Sequence, residues 1–553
     1  LKRPDRAAQA RAPRAGCAVP AMAKRLPGPG ASAKGPPKPD KKQKPKGPTK
    51  KGGEGGGSGS KGSRPRGAGA EATPATRGGK DTGEKRGTKR KLAGGSAKKG
   101  ATAEKGKRKA SLTIKQKRRK EVTKIYSELI NPGRTSKADA LVRAILDLLA
   151  ERTGSLADYC ATDVGSHVIQ ACLKWGTNAQ RFQLLTSLKE HIPKLACDRY
   201  GHMVVLKLLR YVTKTATARK PTDEEKKARV KNLREFLEAF RGKVLHNAFY
   251  HRNGCRVING IYFSEAVGTK EKRRLLHEVA VSQAVSLTRS ELPESQALRQ
   301  LLVAKDLTDD QRKALMSHLR EVLEKTVDKE LLSFDVVHIL FQAFCEKAND
   351  EELKDLGNKC MAGAPYLLSS KPGAEALLRL VGCASAKERK ALCRDLKGKF
   401  VALATNAVDY LVMMRLAMTV DDTVLVAKTV LAEWIEDLQS LCFDKYGHKV
   451  LAWIFRPDDT HLFSPYERSC LALSAPSSLK APATRRQELL RTLRPPVHAL
   501  LLEQPLAVAA DIHAKGLLIA YLTDDWDATV VEALLAAGEK EAASGAELGL
   551  LGN

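Results

Sequence analysis

Phe182, Leu184, Leu185, Leu188 and Ile192 place one apolar face at helical spacing, and Pro193 closes the stretch. Just before it, Val168, Ile169, Cys172 and Leu173 form the apolar stripe of another helix. Ser166, His167 and Gln170 fall together on a second face of that helix, because positions i, i+1 and i+4 lie close on a helical surface. No run of alternating β-branched residues is long enough to suggest a sheet. The pattern predicts an all-α protein made of short helices, with a polar trio on the exposed face of every second one.

The trio belongs to an internal repeat. Asp198-Arg199-Tyr200-Gly201-His202-Met203-Val204-Val205 returns almost unchanged as Asp444-Lys445-Tyr446-Gly447-His448-Lys449-Val450-Leu451. Looser copies are Asp163-Val164-Gly165-Ser166-His167-Val168-Ile169-Gln170 and Arg252-Asn253-Gly254-Cys255-Arg256-Val257-Ile258-Asn259. Self-similarity of this kind means stacked units, and stacked helical units present a long surface to a polymer or a partner protein. Later copies are aligned at Asp335, Gly373 and Val408. The steps are 36 residues from Gly165 to Gly201, 53 to Gly254, 38 from Asp335 to Gly373, 35 to Val408 and 39 to Gly447. The step of 81 from Gly254 to Asp335 leaves room for one more degenerate copy. The fold expected is an irregular solenoid.

Charge divides the chain. Residues 1–120 hold 36 Lys and Arg against 7 Asp and Glu, a net +29. Residues 121–260 hold 24 against 14, a net +10, and since the whole chain is +34, residues 261–553 are at −5. A basic tail running into basic first repeats favours phosphate-rich nucleic acid, bound through neutralised phosphates and released counterions. The candidate phosphate-binding residues are Lys117, Arg118, Arg119, Lys120, Lys174, Arg199, Lys207 and Arg210. Residues 1–111 have no aromatic side chain and are dense in Gly, Pro, Ala and Lys. They cannot bury enough apolar surface to offset their ordering entropy and are expected to be disordered. Within this tail, Lys89, Arg90 and Lys91, with Lys105, Lys107, Arg108 and Lys109, have the spacing of a bipartite nuclear import signal. Met22 stands as an alternative start of translation.

Other chemistry is thin. No stretch has the length and apolarity of a membrane span, and no secretory segment is evident. The 11 cysteines are scattered without a Cys-x-x-Cys pair, and the 12 histidines form no metal-binding pair on one helix. Disulfides, metals and cofactors are therefore not expected, and the thiols are read as small apolar residues of helix–helix cores. Cys255 is the exception, since the alignment sets it on the ladder face. The Gly-rich run from Gly52 to Lys61 lacks the ending and the flanking strand of a phosphate loop. No catalytic constellation appears, and an enzyme is not expected.

The Asp-Lys-Tyr-Gly-x-x-Val signature with its apolar continuation resembles the second helix of a pumilio (PUF) repeat, and Val164 to Gln170 is a good single match. In sequence-reading members each repeat contacts one base. By that resemblance Ser166 and Gln170 are edge readers with His167 stacking between bases, and Cys255, Asn259 and Arg256 hold the same roles in the Gly254 repeat. The other units depart from the code. The Gly201 repeat offers His202, Met203 and Leu206, and the Gly447 repeat His448, Lys449 and Ala452. The units at 335, 373 and 408 offer Val336 with Leu340, Ala374 with Leu378, and Asp409 with Met413, and are read as a solvated face. The whole pattern is similar to the divergent nucleolar, Puf-A-type branch of the family. That similarity implies two arms of repeats, with residues 112–260 as basic N-terminal repeats and 261–553 as near-neutral to acidic C-terminal repeats. Further terminal repeats would be expected beyond Asn553.

The function implied is a nuclear and nucleolar RNA-binding scaffold of low sequence specificity. It would act on precursor ribosomal RNA in large-subunit biogenesis as a monomer. DNA is a second ligand, and ribosome assembly factors or ribosomal proteins are partners on residues 261–553. The alternatives are a sequence-specific regulator of mRNA translation or decay, and a protein-binding adaptor. Only one intact trio, or at best two, speaks against the regulator, and +39 of charge in the first 260 residues speaks against the adaptor.

Overall fold

The computed structural model describes residues 116–131, 137–150, 155–212, 222–281, 297–302 and 307–543. By internal contacts the chain divides into Leu1–Ala93 and Gly94–Asn553, and every described residue lies in the second unit. The tail before Gln116, with the import residues from Lys89 to Lys109, lies outside the described residues.

Among the described residues the secondary structure is helical, with no strand. Capping sets many of the boundaries. Thr177 accepts from the Gln180 amide at 3.3 Å while the Gln180 side chain accepts from the Thr177 amide at 2.8 Å, and the helix Asn178–Leu188 starts there. Two details differ from the periodicity. Phe182 stands on the exposed side of that helix, and Pro193 opens the following helix, Ile192–Cys197, where its missing N–H is harmless.

Eight helices lie side by side in one row. They are α1 (Asp163–Trp175), α2 (Gly201–Val212), α3 (Arg252–Tyr262), α4 (Asp335–Cys345), α5 (Lys371–Cys383), α6 (Tyr410–Thr419), α7 (Gly447–Phe455) and α8 (Ala514–Asp524). The repeat glycine has a steric origin. A Cβ at Gly165, Gly201, Gly254, Gly373 or Gly447 would come closer than 3.0 Å to the carbonyl oxygen six residues earlier, in the short helix that feeds each ladder helix. The turn before it is equally regular. Asp198 Oδ1 accepts from the amides of Tyr200 and Gly201 at 2.8 and 2.7 Å, and Asp444 Oδ1 from those of Tyr446 and Gly447, both at 2.8 Å.

That turn corrects one alignment and reveals a further repeat. Asn406 Oδ1 accepts from the Val408 amide at 2.8 Å, so Asn406 stands where Asp444 does and Asp409, not Val408, takes the glycine position. Tyr410, Leu411 and Met414 then hold the trio positions in place of Asp409 and Met413. A repeat missed in the sequence is α8, where Asp511 Oδ1 accepts from His513 and Ala514, both at 2.8 Å. Among the described residues no further ladder helix stands between α3 and α4, which meet directly: Asn259 Oδ1 accepts from the Val336 amide at 2.9 Å.

The core runs between the ladder helices and their partners. Val168, Ile169, Cys172, Val204, Val205, Leu208 and Val257 are buried there, each large aliphatic residue contributing roughly 1.5–3 kcal/mol.

Candidate nucleic-acid interface

α1, α2 and α3 pack in sequence and bring the candidate residues of three repeats onto adjoining helices. Thr162 Oγ1 accepts from the Gly165 amide at 3.1 Å and fixes the start of α1. From there Ser166 is turned toward α2. It is 2% exposed, its hydroxyl donates to Tyr200 O at 3.0 Å, and its oxygen accepts from Gln170 Nε2 at 2.9 Å. His167 stands outward, 3.8 Å from Asp163.

The pattern repeats on α2. His202 is buried, and its Nδ1 donates to Asp198 O at 3.0 Å, so Nε2 is left as an acceptor. Arg256 Nη1 of α3 lies 3.5 Å from that nitrogen. Burial holds the His202 imidazole below its ordinary pKa, and the Arg256 charge adds to the effect. Asn253 Nδ2 donates to Asp198 O at 3.2 Å and ties α3 to the same turn. Met203 faces out.

On α3, Cys255 is fully buried, and burial drives its thiol far above the ordinary range. Its expected place on an open ladder face is therefore corrected: the first trio position is an inward one. Arg256 is exposed, and Asn259 is engaged with Val336. Across α1–α3 the first position is buried, while the second faces solvent. The expectation of a fully exposed trio fails because the first position lies on the side where the next ladder helix packs.

The candidate phosphate contacts distribute unevenly. Lys174 follows His167 and Gln170 along one stripe of α1 and sits 4.5 Å from the Trp175 ring. Lys207 and Arg210 of α2 lie 5.7 and 5.8 Å from the Tyr211 ring, and Arg199 lies 5.4 Å from Tyr200. These flat contacts hold long cations over aromatic faces. Lys117, Arg118, Arg119 and Lys120 stand on a separate helix, 116–129, anchored by buried Val122 and Leu129.

The solvated face expected for the units at 335, 373 and 408 is corrected: Val336, Leu340, Ala374, Leu378, Asp409 and Met413 are all buried, and the chain's own segment Ser464–Lys480 contacts α5, α6 and α7. Among the described residues no helix is long and apolar enough to cross a membrane.

Comparison with known proteins agrees with the helical-repeat fold. A family model described as the NOP9-like PUF repeat domain matches residues 95–222. The chain is 24% identical over 370 residues to "Pumilio homology domain family member 6" of Schizosaccharomyces pombe, covering 65% of this chain and 52% of that protein. It is 23% identical over 373 residues to "Pumilio homolog 3" of Homo sapiens, covering 67% and 54%. The chain thus spans about half the length of the curated relatives it matches. The crystal structure of human Puf-A superposes with a TM-score of 0.59 at 21% identity, covering 73% of this chain and 74% of that one. Human Puf-A has also been solved in complex with DNA, with the same TM-score and identity.

Proposed function

We propose, from the premise that this chain is a PUF-repeat protein with the fold of human Puf-A, that it is an RNA-binding scaffold of low sequence specificity. Its place of action is the nucleolus, on precursor ribosomal RNA of the large subunit. One observation carries the low specificity. In α1–α3 the first trio positions (Ser166, His202, Cys255) are buried between helices, while His167, Met203, Arg256 and the cations Lys174 and Arg210 face outward. A strand on this face meets ammonium, guanidinium and imidazole groups. Lys and Arg reach phosphates whatever the base, and His167 and Arg256 offer flat groups for stacking on unpaired bases.

The basic segment before Lys120 adds charge to capture, and its clusters at Lys89–Lys91 and Lys105–Lys109 serve nuclear import. DNA is a second ligand of the same chemistry, which the solved complex of human Puf-A with DNA supports. Residues 261–553, at net −5, are left for an assembly factor or ribosomal protein. The molecule acts as a monomer without catalysis.

Crosslinking in cells followed by sequencing of the bound RNA tests this. Reads concentrated on precursor ribosomal RNA are expected. Reads on 3′-untranslated regions sharing one short motif would instead identify a sequence-specific regulator.

A further inference from the structure

After α7 the chain turns back over its own ladder. The helix Pro465–Leu471 packs on α6, started by Ser464, whose hydroxyl accepts from the Glu467 amide at 3.3 Å. Two of its side chains enter the trio positions. Tyr466 OH donates to Glu375 Oε1 at 2.7 Å, and Glu375 is the second trio residue of α5. Glu467 is 3% exposed and accepts from Lys449 Nζ at 2.7 Å and from Tyr410 OH at 2.6 Å. Lys449 is the second trio residue of α7, and Tyr410 the first of α6.

The backbone beyond this helix takes up the next layer. Arg415 of α6 donates to Leu471 O at 3.1 Å and to Ser474 O at 2.5 Å. Arg415 lies six residues after Asp409, as Lys207 lies six after Gly201. α6 therefore carries a cation in the register of a candidate phosphate contact, but it is buried against peptide carbonyls. Lys371 in turn sits 5.6 Å from the Tyr466 ring. An aromatic ring and a carboxylate thus cover second trio positions, which on α1–α3 are open to solvent.

We propose that Ser464–Ser474 is an internal occupant of the ladder, placed where a single-stranded nucleic acid would otherwise lie, and that it closes α5–α7 to that ligand. Nucleic acid is then confined to α1–α3 because the later cations already have acidic, aromatic and carbonyl partners. The weak net charge of residues 261–553 is not the sole cause. This inference rests on α1–α3 being the nucleic-acid face.

Lysine acetylation of the full chain, with and without an oligouridine and read by mass spectrometry, tests it. RNA is expected to slow Lys174 and Lys207 several-fold and leave Lys371 and Lys449 unchanged. In the full chain carrying Tyr466→Ala and Glu467→Ala, with helicity verified by circular dichroism, RNA is expected to slow Lys371 and Lys449 as well. Protection of Lys371 and Lys449 in the unaltered chain would overturn the inference, and so would a folded variant in which they stay unprotected. If the variant does not fold, the unaltered chain decides alone. Absence of protection at Lys174 and Lys207 would overturn the proposed function itself.

Discussion

Ser166 Oγ donates to the backbone carbonyl of Tyr200 across 3.0 Å, joining α1 to the turn that starts α2. The hydroxyl that a base-reading repeat would aim at a ligand is here a fastener between repeats. Removing it leaves a part-buried carbonyl with its bond from the Met203 amide alone.

Ser166→Ala with Gln170→Ala is therefore expected to act on stability more than on binding. The loss is about 0.5–1.5 kcal/mol, read as a lowered urea midpoint. Affinity for single-stranded RNA in filter binding is expected to stay within roughly threefold, since phosphate contacts dominate. A large loss of affinity with unchanged stability would make the pair base readers.

The ladder glycines give a steric prediction. Gly254→Ala forces a Cβ against the carbonyl and Cα of Ala248. Overpacking of this kind costs roughly 1–3 kcal/mol, and backbone atoms cannot swing aside as a side chain can. Gly538→Ala, where a Cβ meets nothing within 4 Å, is expected to stabilise slightly. Equal effects of the two substitutions on thermal midpoint would remove the close-approach explanation of the repeat.

Asp409 gives a pH dependence. It is 2% exposed, its Oδ1 has no hydrogen-bond partner, and burial pushes its carboxyl up to about 7. The unfolded chain releases that proton near pH 4, so the folded state holds more protons between about 4 and 7. Stability from this group is greatest below the lower value and is lost as pH rises through the upper one. Asp409→Asn keeps the shape without titrating. It should gain little near pH 4.5 and on the order of 2–4 kcal/mol above pH 7. Urea unfolding of both proteins across this range checks the sign, and a gain that grows toward low pH would contradict it.

Glu467 behaves in the opposite sense. Burial alone would raise its pKa, but hydrogen bonds from Lys449, Ser464 and Tyr410 outweigh burial and hold it at about 2. Its contribution is present above the unfolded value near 4.3 and is lost as pH falls toward 2. Tryptophan fluorescence of the full chain, taken from pH 5 to pH 2, is expected to change in that window, since Trp453 of α7 packs edge-on against Phe463 just ahead of this segment. Glu467→Gln should flatten the change.

The helical class and the first three ladder helices were legible because their signal is local. Gly165, Gly201 and Gly254 each meet a carbonyl six residues back, so one residue type marks one geometry. Where other residues take that job the signal fades. Asp409 and Ala514 stand at glycine positions, and only the turns at Asn406 and Asp511 betray them. The inward turn of Ser166 and Cys255 depends on the neighbouring helix, which periodicity within one helix does not report. The cover over α5–α7 was illegible for the same reason: Tyr466 meets Glu375 across 91 residues of sequence.

The central claim is phosphate-dominated binding on α1–α3. The direct measurement is the salt dependence of single-stranded RNA affinity, with the unaltered full chain compared with one in which Lys174, Lys207, Arg210 and Arg256 are changed to Ala. About six engaged phosphates give a log–log slope near −4, and loss of four contacts should make it shallower by about 3. Affinity at moderate salt should fall tenfold or more, equally for an RNA and its scrambled form. An unchanged slope, or a loss seen for one sequence and not its scramble, would contradict the account.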